Sequence, residues 1–220
     1  MAKIFFCGDP HGRFAHIIHA VEINRPDAIM LLGDQTAKQP LDIELAPILG
    51  QTKVYWIPGN HDSDNEAVYD NLFGSALKGR NVAERVMAEA GITIAGLGGV
   101  FRHKVWDGQV PGNLPQTEFM RTIGSGNKWR GGLPLRHRTT IFLSTIGKFD
   151  GMQVDLLVNH EAPDSHQHGN VALIRLAQSL GARKAFHGHH DQTIEYRVVP
   201  GMACRCAPLP LWTLRRLRQW

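Results

Sequence analysis

Apolar residues in this chain come in short runs that end on glycine, and stretches of helical period separate them. Ile4-Phe5-Phe6-Cys7 stops at Gly8, Ala28–Leu32 stops at Gly33, and 54–57 stops at Pro58-Gly59. Runs this short and this apolar predict strands buried on both faces. After the first run, Phe14, Ile17, Ile18 and Val21 recur at i, i+3, i+4 and i+7, the stripe of an amphipathic helix that Asn24 to Pro26 stops. After the second, 41–49 has a partly helical pattern that Pro47 shortens or kinks. The order strand, helix, strand, helix, strand predicts an α/β fold. A further helix is expected over 64–73, with Gly74 after it.

The alternation then gives way to antiparallel pairing. Residues 86–98 read as a hairpin, two apolar stretches around Ala90-Gly91. Residues 104–138 carry Pro111, Gly112, Pro115, Gly124, Gly126, Gly131, Gly132 and Pro134 and read as a long irregular insertion. A helix over 139–149 is expected to close it. A buried strand at 154–158 and an amphipathic helix over 171–180, ended by Gly181, follow. Ala185-Phe186 then leads into His187, and alternation of Ile194, Tyr196 and Val198 predicts an antiparallel strand over 193–199. No repeat, low-complexity tract or linker divides the chain, so residues 1–220 are expected to form a single domain with an insertion at 104–138.

Composition narrows the class. Of 220 residues, 43% are hydrophobic and 20% charged, which excludes a disordered chain, a collagen-like fibre and a coiled coil. No uncharged apolar run approaches the ~18 residues of a membrane span, and Asp9 cuts off any signal-peptide apolar region. A cytoplasmic protein without membrane contact is expected. Cys7, Cys204 and Cys206 are too few and odd in number for a disulfide framework. Cys204 and Cys206 share one face of a strand, as buried thiols or as a metal or redox pair. The net charge of +4 suits an anionic partner such as a phosphate ester. It concentrates in 121–138, with Arg121, Lys128, Arg130, Arg136 and His137, and in a tail with Arg215, Arg216 and Arg218 beside Trp212 and Trp220. Each reads either as solvated surface or as a nucleic-acid surface.

The chemistry sits at the strand ends. After the first strand comes Asp9-Pro10-His11, after the second Gly33-Asp34, and after the third Gly59-Asn60-His61-Asp62. Asn159-His160 follows the 154–158 run, and His187-Gly188-His189-His190-Asp191 follows Ala185-Phe186. Singly, each is an ordinary turn or cap. Five successive strand ends presenting Asp, Asn or His form a set, because ligands in α/β sheets bind outside the carboxyl ends of the strands. Imidazole, carboxylate and amide oxygen suit zinc, iron or manganese. More than four such ligands exceed one tetrahedral site and fit two metals ~3.5–4 Å apart that share a carboxylate. One ion would take Asp9 and His11, the other Asn60, His160 and His189, with Asp34 as the bridge.

In this ordered set the chain resembles the calcineurin-like metallophosphoesterases, over residues 3 to about 200. The family pattern is Asp-x-His, Gly-Asp, Gly-Asn-His-Asp/Glu, a lone His and Gly-His. The Gly96-Leu97-Gly98-Gly99 stretch is similar to the family's central strand. The resemblance implies a four-layer α/β/β/α sandwich with a dinuclear metal site at the sheet edge. It implies Asp9, His11, Asp34, Asn60, His160 and His189 as metal ligands, and two divalent ions, manganese, iron or zinc, as cofactors. It implies His61 as a catalytic histidine that protonates the leaving oxygen while a metal-bridging hydroxide attacks a phosphomonoester or phosphodiester.

The chain departs from the family in two places. Asp191 stands where many members carry a further histidine ligand, and a shifted reading pairs His187 with His189. Gln35-Thr36-Ala37-Lys38 follows Asp34, without the second Asp and the phosphate-binding Arg of phosphoprotein phosphatases. Asp62 or Asp64 is left to orient His61. The substrate grip is unassigned, with Arg13, His103 and the basic segment 121–138 as candidates. A nuclease using the basic segment and tail, or a non-catalytic scaffold of the same fold, are the competing readings.

Overall fold

The glycine-terminated runs become parallel strands whose carboxyl ends lie along one edge. The computed structural model describes residues 3–108, 115–163 and 169–190 in full, and the backbone of the strands at 195–199, 202–206 and 212–213. In chain order the elements are β1 (Ile4–Cys7), α1 (Ala15–Asn24), β2 (Ala28–Leu32), α2 (Leu41–Glu44), β3 (Lys53–Ile57), α3 (Glu66–Phe73), β4 (Arg85–Glu89) and β5 (Ile92–Leu97). Then come α4 (Gln116–Thr122), α5 (Leu143–Gly147), β6 (Leu156–Asn159), α6 (Val171–Ser179), β7 (Lys184–His187), β8 (Glu195–Val199), β9 (Met202–Cys206) and β10 (Trp212–Thr213).

One sheet has the order β10-β1-β2-β3, the other β4-β5-β6-β7-β9-β8. β1, β2 and β3 run parallel, as do β5, β6, β7 and β9. Alternation of side chains along each strand sorts the core into layers. Ile4, Phe6, Met30, Leu32 and Ile57 of the first sheet meet Ile94, Leu156, Val158 and Phe186 of the second. Their neighbours Phe5, Ile29, Leu31 and Trp56 face outward onto Ile17, Val21, Leu41 and Leu72 of α1, α2 and α3. On the far side Ala95, Leu97, Leu157 and Ala185 meet Leu173, Leu176 and Ala177 of α6. The layers are therefore α/β/β/α. No helix among the described residues is long and apolar enough to cross a membrane.

Several elements differ from their sequence expectation. The helix expected over 41–49 breaks into α2 and a 3₁₀ turn, Ala46–Ile48, with Pro47 inside that turn. The helix expected from 64 starts at Glu66, because the Asn65 side chain accepts the Val68 N–H as an N-cap. Residues 139–149 hold only the short α5, after a 3₁₀ turn at Leu135–Thr139. β9 inserts between β7 and β8, and β10 lies antiparallel to β1. The Cys204 and Cys206 side chains, residues 109–114, Asp191 and the tail arginines lie outside the described residues.

The two sheets are joined behind the strand ends by Phe6 and Phe186, whose rings stack with centroids 4.0 Å apart. Both are almost fully buried. Phe6→Ala is expected to lower the unfolding free energy by about 3–5 kcal/mol, read from urea denaturation.

Candidate metal centre

Backbone hydrogen bonds bring the loops after β1 and β2 together. The His11 N–H donates to the Asp34 carbonyl at 3.0 Å, and the Gly12 N–H to the Gln35 carbonyl at 2.8 Å. Asp9, His11 and Asp34 thereby offer ligand atoms within 4.8 Å of one another, and Asp34, His160 and His189 form a second such group. Asp34 belongs to both. Asp9 also accepts the His189 backbone N–H on its two oxygens, at 3.0 and 2.9 Å, so the ends of β1 and β7 are tied.

His160 lies at the centre and is fully buried. Its Nδ1–H donates to the Leu32 carbonyl at 2.7 Å. That leaves Nε2 beside Asn60 Oδ1 at 3.1 Å and Asp34 Oδ2 at 3.4 Å. Ligand atoms held at about 2.1 Å from one ion lie about 3 Å apart, so these three are spaced as a ligand set. An imidazole that donates its other N–H to a carbonyl is the usual arrangement around a bound metal.

The approach is close enough to demand glycine. A Cβ on Gly33 would lie 2.1 Å from His160 Nδ1, and its φ is +101°. A Cβ on Gly59 would lie 2.2 Å from Asp34 Oδ1 and 2.7 Å from His160 Cε1. Asp9, His11, Asp34 and His189 themselves have φ of 49°, 45°, 52° and 70°. This left-handed region costs a non-glycine residue about 1–2 kcal/mol, and such outliers gather at functional sites.

The electrostatics favour positive charge. Burial works to lower the His160 pKa, but the Asp34 and Asp9 carboxylates and the Leu32 carbonyl hold it up to about 10. Burial works to raise Asp34, and His160 and His61 hold it down at about 2. His189 is pushed down to about 4 by burial and by His160 and His190, which leaves its imidazole neutral near pH 7. Paired carboxylates with imidazole and amide donors fit hard and borderline divalent cations.

His61 stands beside this cluster, half-exposed in a 3₁₀ turn, His61–Ser63. Its backbone N–H donates to Asp34 Oδ1 at 2.8 Å, and its Nδ1 lies 2.6 Å from Asp64 Oδ2. Of the two aspartates left open by the sequence, Asp64 contacts the ring. That hydrogen bond raises the His61 pKa. Asp62 is buried and instead accepts the Gly59 and Thr36 N–H groups, both at 2.8 Å, fixing the turn. Glu161, after His160, is a buried carboxyl pushed up to about 7 by burial, and nothing in the spacing of charges signalled it.

The remaining candidates fall elsewhere. His187 is buried, with Nδ1 2.8 Å from the Gly188 carbonyl, and joins neither ligand group. Arg13 and His103 are exposed. In the basic segment, Arg130 forms a two-point ion pair with Asp70 of α3, at 2.7 and 2.8 Å. Arg138 donates to the Trp129 carbonyl at 2.9 Å, and both arginines lie over the Trp129 ring. Trp129 in turn donates to Glu66 at 2.7 Å. These two arginines are spent within the chain.

Comparison with known proteins agrees with this fold. The profile of the calcineurin-like phosphoesterases matches residues 2–191. The chain belongs to that family, whose members are metal-dependent hydrolases of phosphate esters. It is 38% identical over 198 residues to an uncharacterized protein of Haemophilus influenzae, covering 88% of this chain and 85% of that one. The fold is shared with the phosphopantetheinyl hydrolase of Mycobacterium tuberculosis, at a TM-score of 0.61 and 16% identity over 100% of this chain and 98% of that chain. It is also shared with a 5'-nucleotidase from Candida albicans, at a TM-score of 0.55 and 13% identity over 94% of this chain and 46% of that chain.

The close approach at Gly59 makes a testable contrast. Gly59→Ala is expected to lose about 1–3 kcal/mol or more through overpacking. Gly50→Ala, where an added Cβ meets nothing within 4 Å, is expected to change stability by less than about 0.5 kcal/mol. Chemical denaturation of both variants checks this.

Proposed function

We propose that this chain hydrolyses a phosphate ester at a dinuclear centre held by Asp9, His11, Asp34, Asn60, His160 and His189, with His61 as general acid. The observation that carries the reading is that two compact ligand groups share one carboxylate, that of Asp34. The donor set suits manganese, iron or zinc. Two divalent ions bound there would neutralise the charge of the phosphate and lower the pKa of a water between them.

The chain's own residues supply the rest. Asp34 is held in place by the His61 backbone N–H, so the bridge and the acid move as one unit. Asp64 fixes the His61 ring through Nδ1 and favours its protonated form. That directs Nε2–H toward the leaving oxygen, and the proton passes there as the ester bond breaks. Asp62 holds the Gly59 and Thr36 backbones under the site, which keeps Asn60 and His61 at the rim.

The test pairs metal content with turnover. Wild-type protein is expected to carry two equivalents of metal and to hydrolyse an aryl phosphate with added Mn²⁺. Asp34→Asn should lose metal and activity together. His61→Ala should keep its metal and lose about 10²–10⁴-fold in kcat, the usual share of a general acid. Turnover at the wild-type rate in His61→Ala would refute its role.

A further inference from the structure

The residues placed at the candidate centre include no arginine or lysine to hold the phosphate group. The segment after β5 is laced between the ends of β3 and β6. The Gly99 N–H donates to the Pro58 carbonyl at 2.7 Å, one residue before the Gly59-Asn60-His61 turn. The Phe101 N–H donates to Glu161 Oε1 at 3.0 Å, next to His160. Val100 pairs with Thr140, just after the 3₁₀ turn Leu135–Thr139. That turn packs on His61–Ser63 through a 2.7 Å hydrogen bond between the Ser63 and Thr139 hydroxyls.

This lacing sets the backbone of Arg102 directly after Phe101, whose N–H is bonded to Glu161. The Nε and Nη2 of Arg102 are shielded from solvent, and neither has a hydrogen-bond acceptor among the described residues. Charged donors buried without an acceptor are costly, and native structures rarely keep them unpaired. Burial and the neighbouring Arg136 lower the Arg102 pKa, while Asp64, Glu161 and Asp34 oppose them, so its charge feels one carboxylate of the candidate centre and two beside it. Arg102, Arg136 and Lys104 also bear on His137, which burial and these cations push down to about 4. The rim beside His61 is therefore cationic. A rotamer change that brought these covered donors onto an oxyanion would satisfy them and relieve the repulsion. A guanidinium presents two parallel N–H groups that match two oxygens of a phosphate.

We infer that Arg102 is the substrate-binding arginine of this site, holding two free oxygens of the phosphate group whose ester bond is cleaved. The inference rests on the phosphoesterase reading. It places the phosphate-gripping residue after β5 rather than after Asp34.

Inorganic phosphate, the product, is the probe. It is titrated by calorimetry into the Mn²⁺-loaded wild-type protein, Arg102→Gln and Arg102→Lys, with the metal content of each measured. Arg102→Gln is expected to keep its metal and to weaken phosphate binding about tenfold to a hundredfold. Arg102→Lys should recover part of that loss, because a point charge lacks the two-donor edge. If Arg102→Gln does not fold, weakened binding in Arg102→Lys supports the inference and wild-type affinity overturns it. Unchanged affinity in Arg102→Gln, with a wild type that hydrolyses aryl phosphates, overturns the inference and leaves the phosphoesterase reading standing. A wild type that hydrolyses no ester overturns that reading and the inference with it, whatever Arg102→Gln does to phosphate binding. A wild type that binds no phosphate overturns the inference.

Discussion

One buried imidazole holds the two sheets together at their functional edge. His160 follows β6 in the second sheet, yet its Nδ1–H is bonded to the Leu32 carbonyl at the end of β2 in the first. Its other nitrogen sits against Asp34 and Asn60, which follow β2 and β3. The ring fits only because Gly33 and Gly59 carry no side chain where it passes. Other residues of the candidate site are placed relative to this ring: Asp34 and Asn60 directly, His61 through its N–H on Asp34, and His189 with its ring centroid 4.9 Å away.

The cost of this arrangement is visible in the backbone and in the charges. Among the described non-glycine residues, nine have positive φ, and four of these are candidate ligands. Carboxylates are buried beside one another, and Asp62 is pushed up to about 6 by burial and by Asp34. A structure selected for stability alone would remove both features. Sites selected for chemistry keep them and draw on packing elsewhere, here on the apolar layer between the sheets and on the stacked Phe6–Phe186 pair.

Much of this was legible in the chain because strand ends and glycines are local signals. The apolar runs at Ile4–Cys7 and Ala28–Leu32 match β1 and β2 to the residue, and the polar residues after them meet in space. What was not legible depended on long-range partners. Nothing in the alternation of 193–199 says that β9 will lie between it and β7. The basic residues of 121–138 read as solvated surface or as a nucleic-acid surface, and nothing in their spacing says that exposed Arg130 will pair with Asp70 of α3. Arg102 escaped notice because β5 ends on glycines rather than on Asp, Asn or His. Only the folded chain shows that this end passes between Pro58 and Glu161.

The central claim is that these strand ends cage two cations on either side of Asp34. Anomalous diffraction from crystals of the Mn²⁺-loaded protein tests it most directly. The account predicts two manganese peaks about 3.5–4 Å apart, one against Asp9 and His11 and the other against Asn60, His160 and His189, with Asp34 touching both. A single peak, or peaks remote from Asp34, would contradict it.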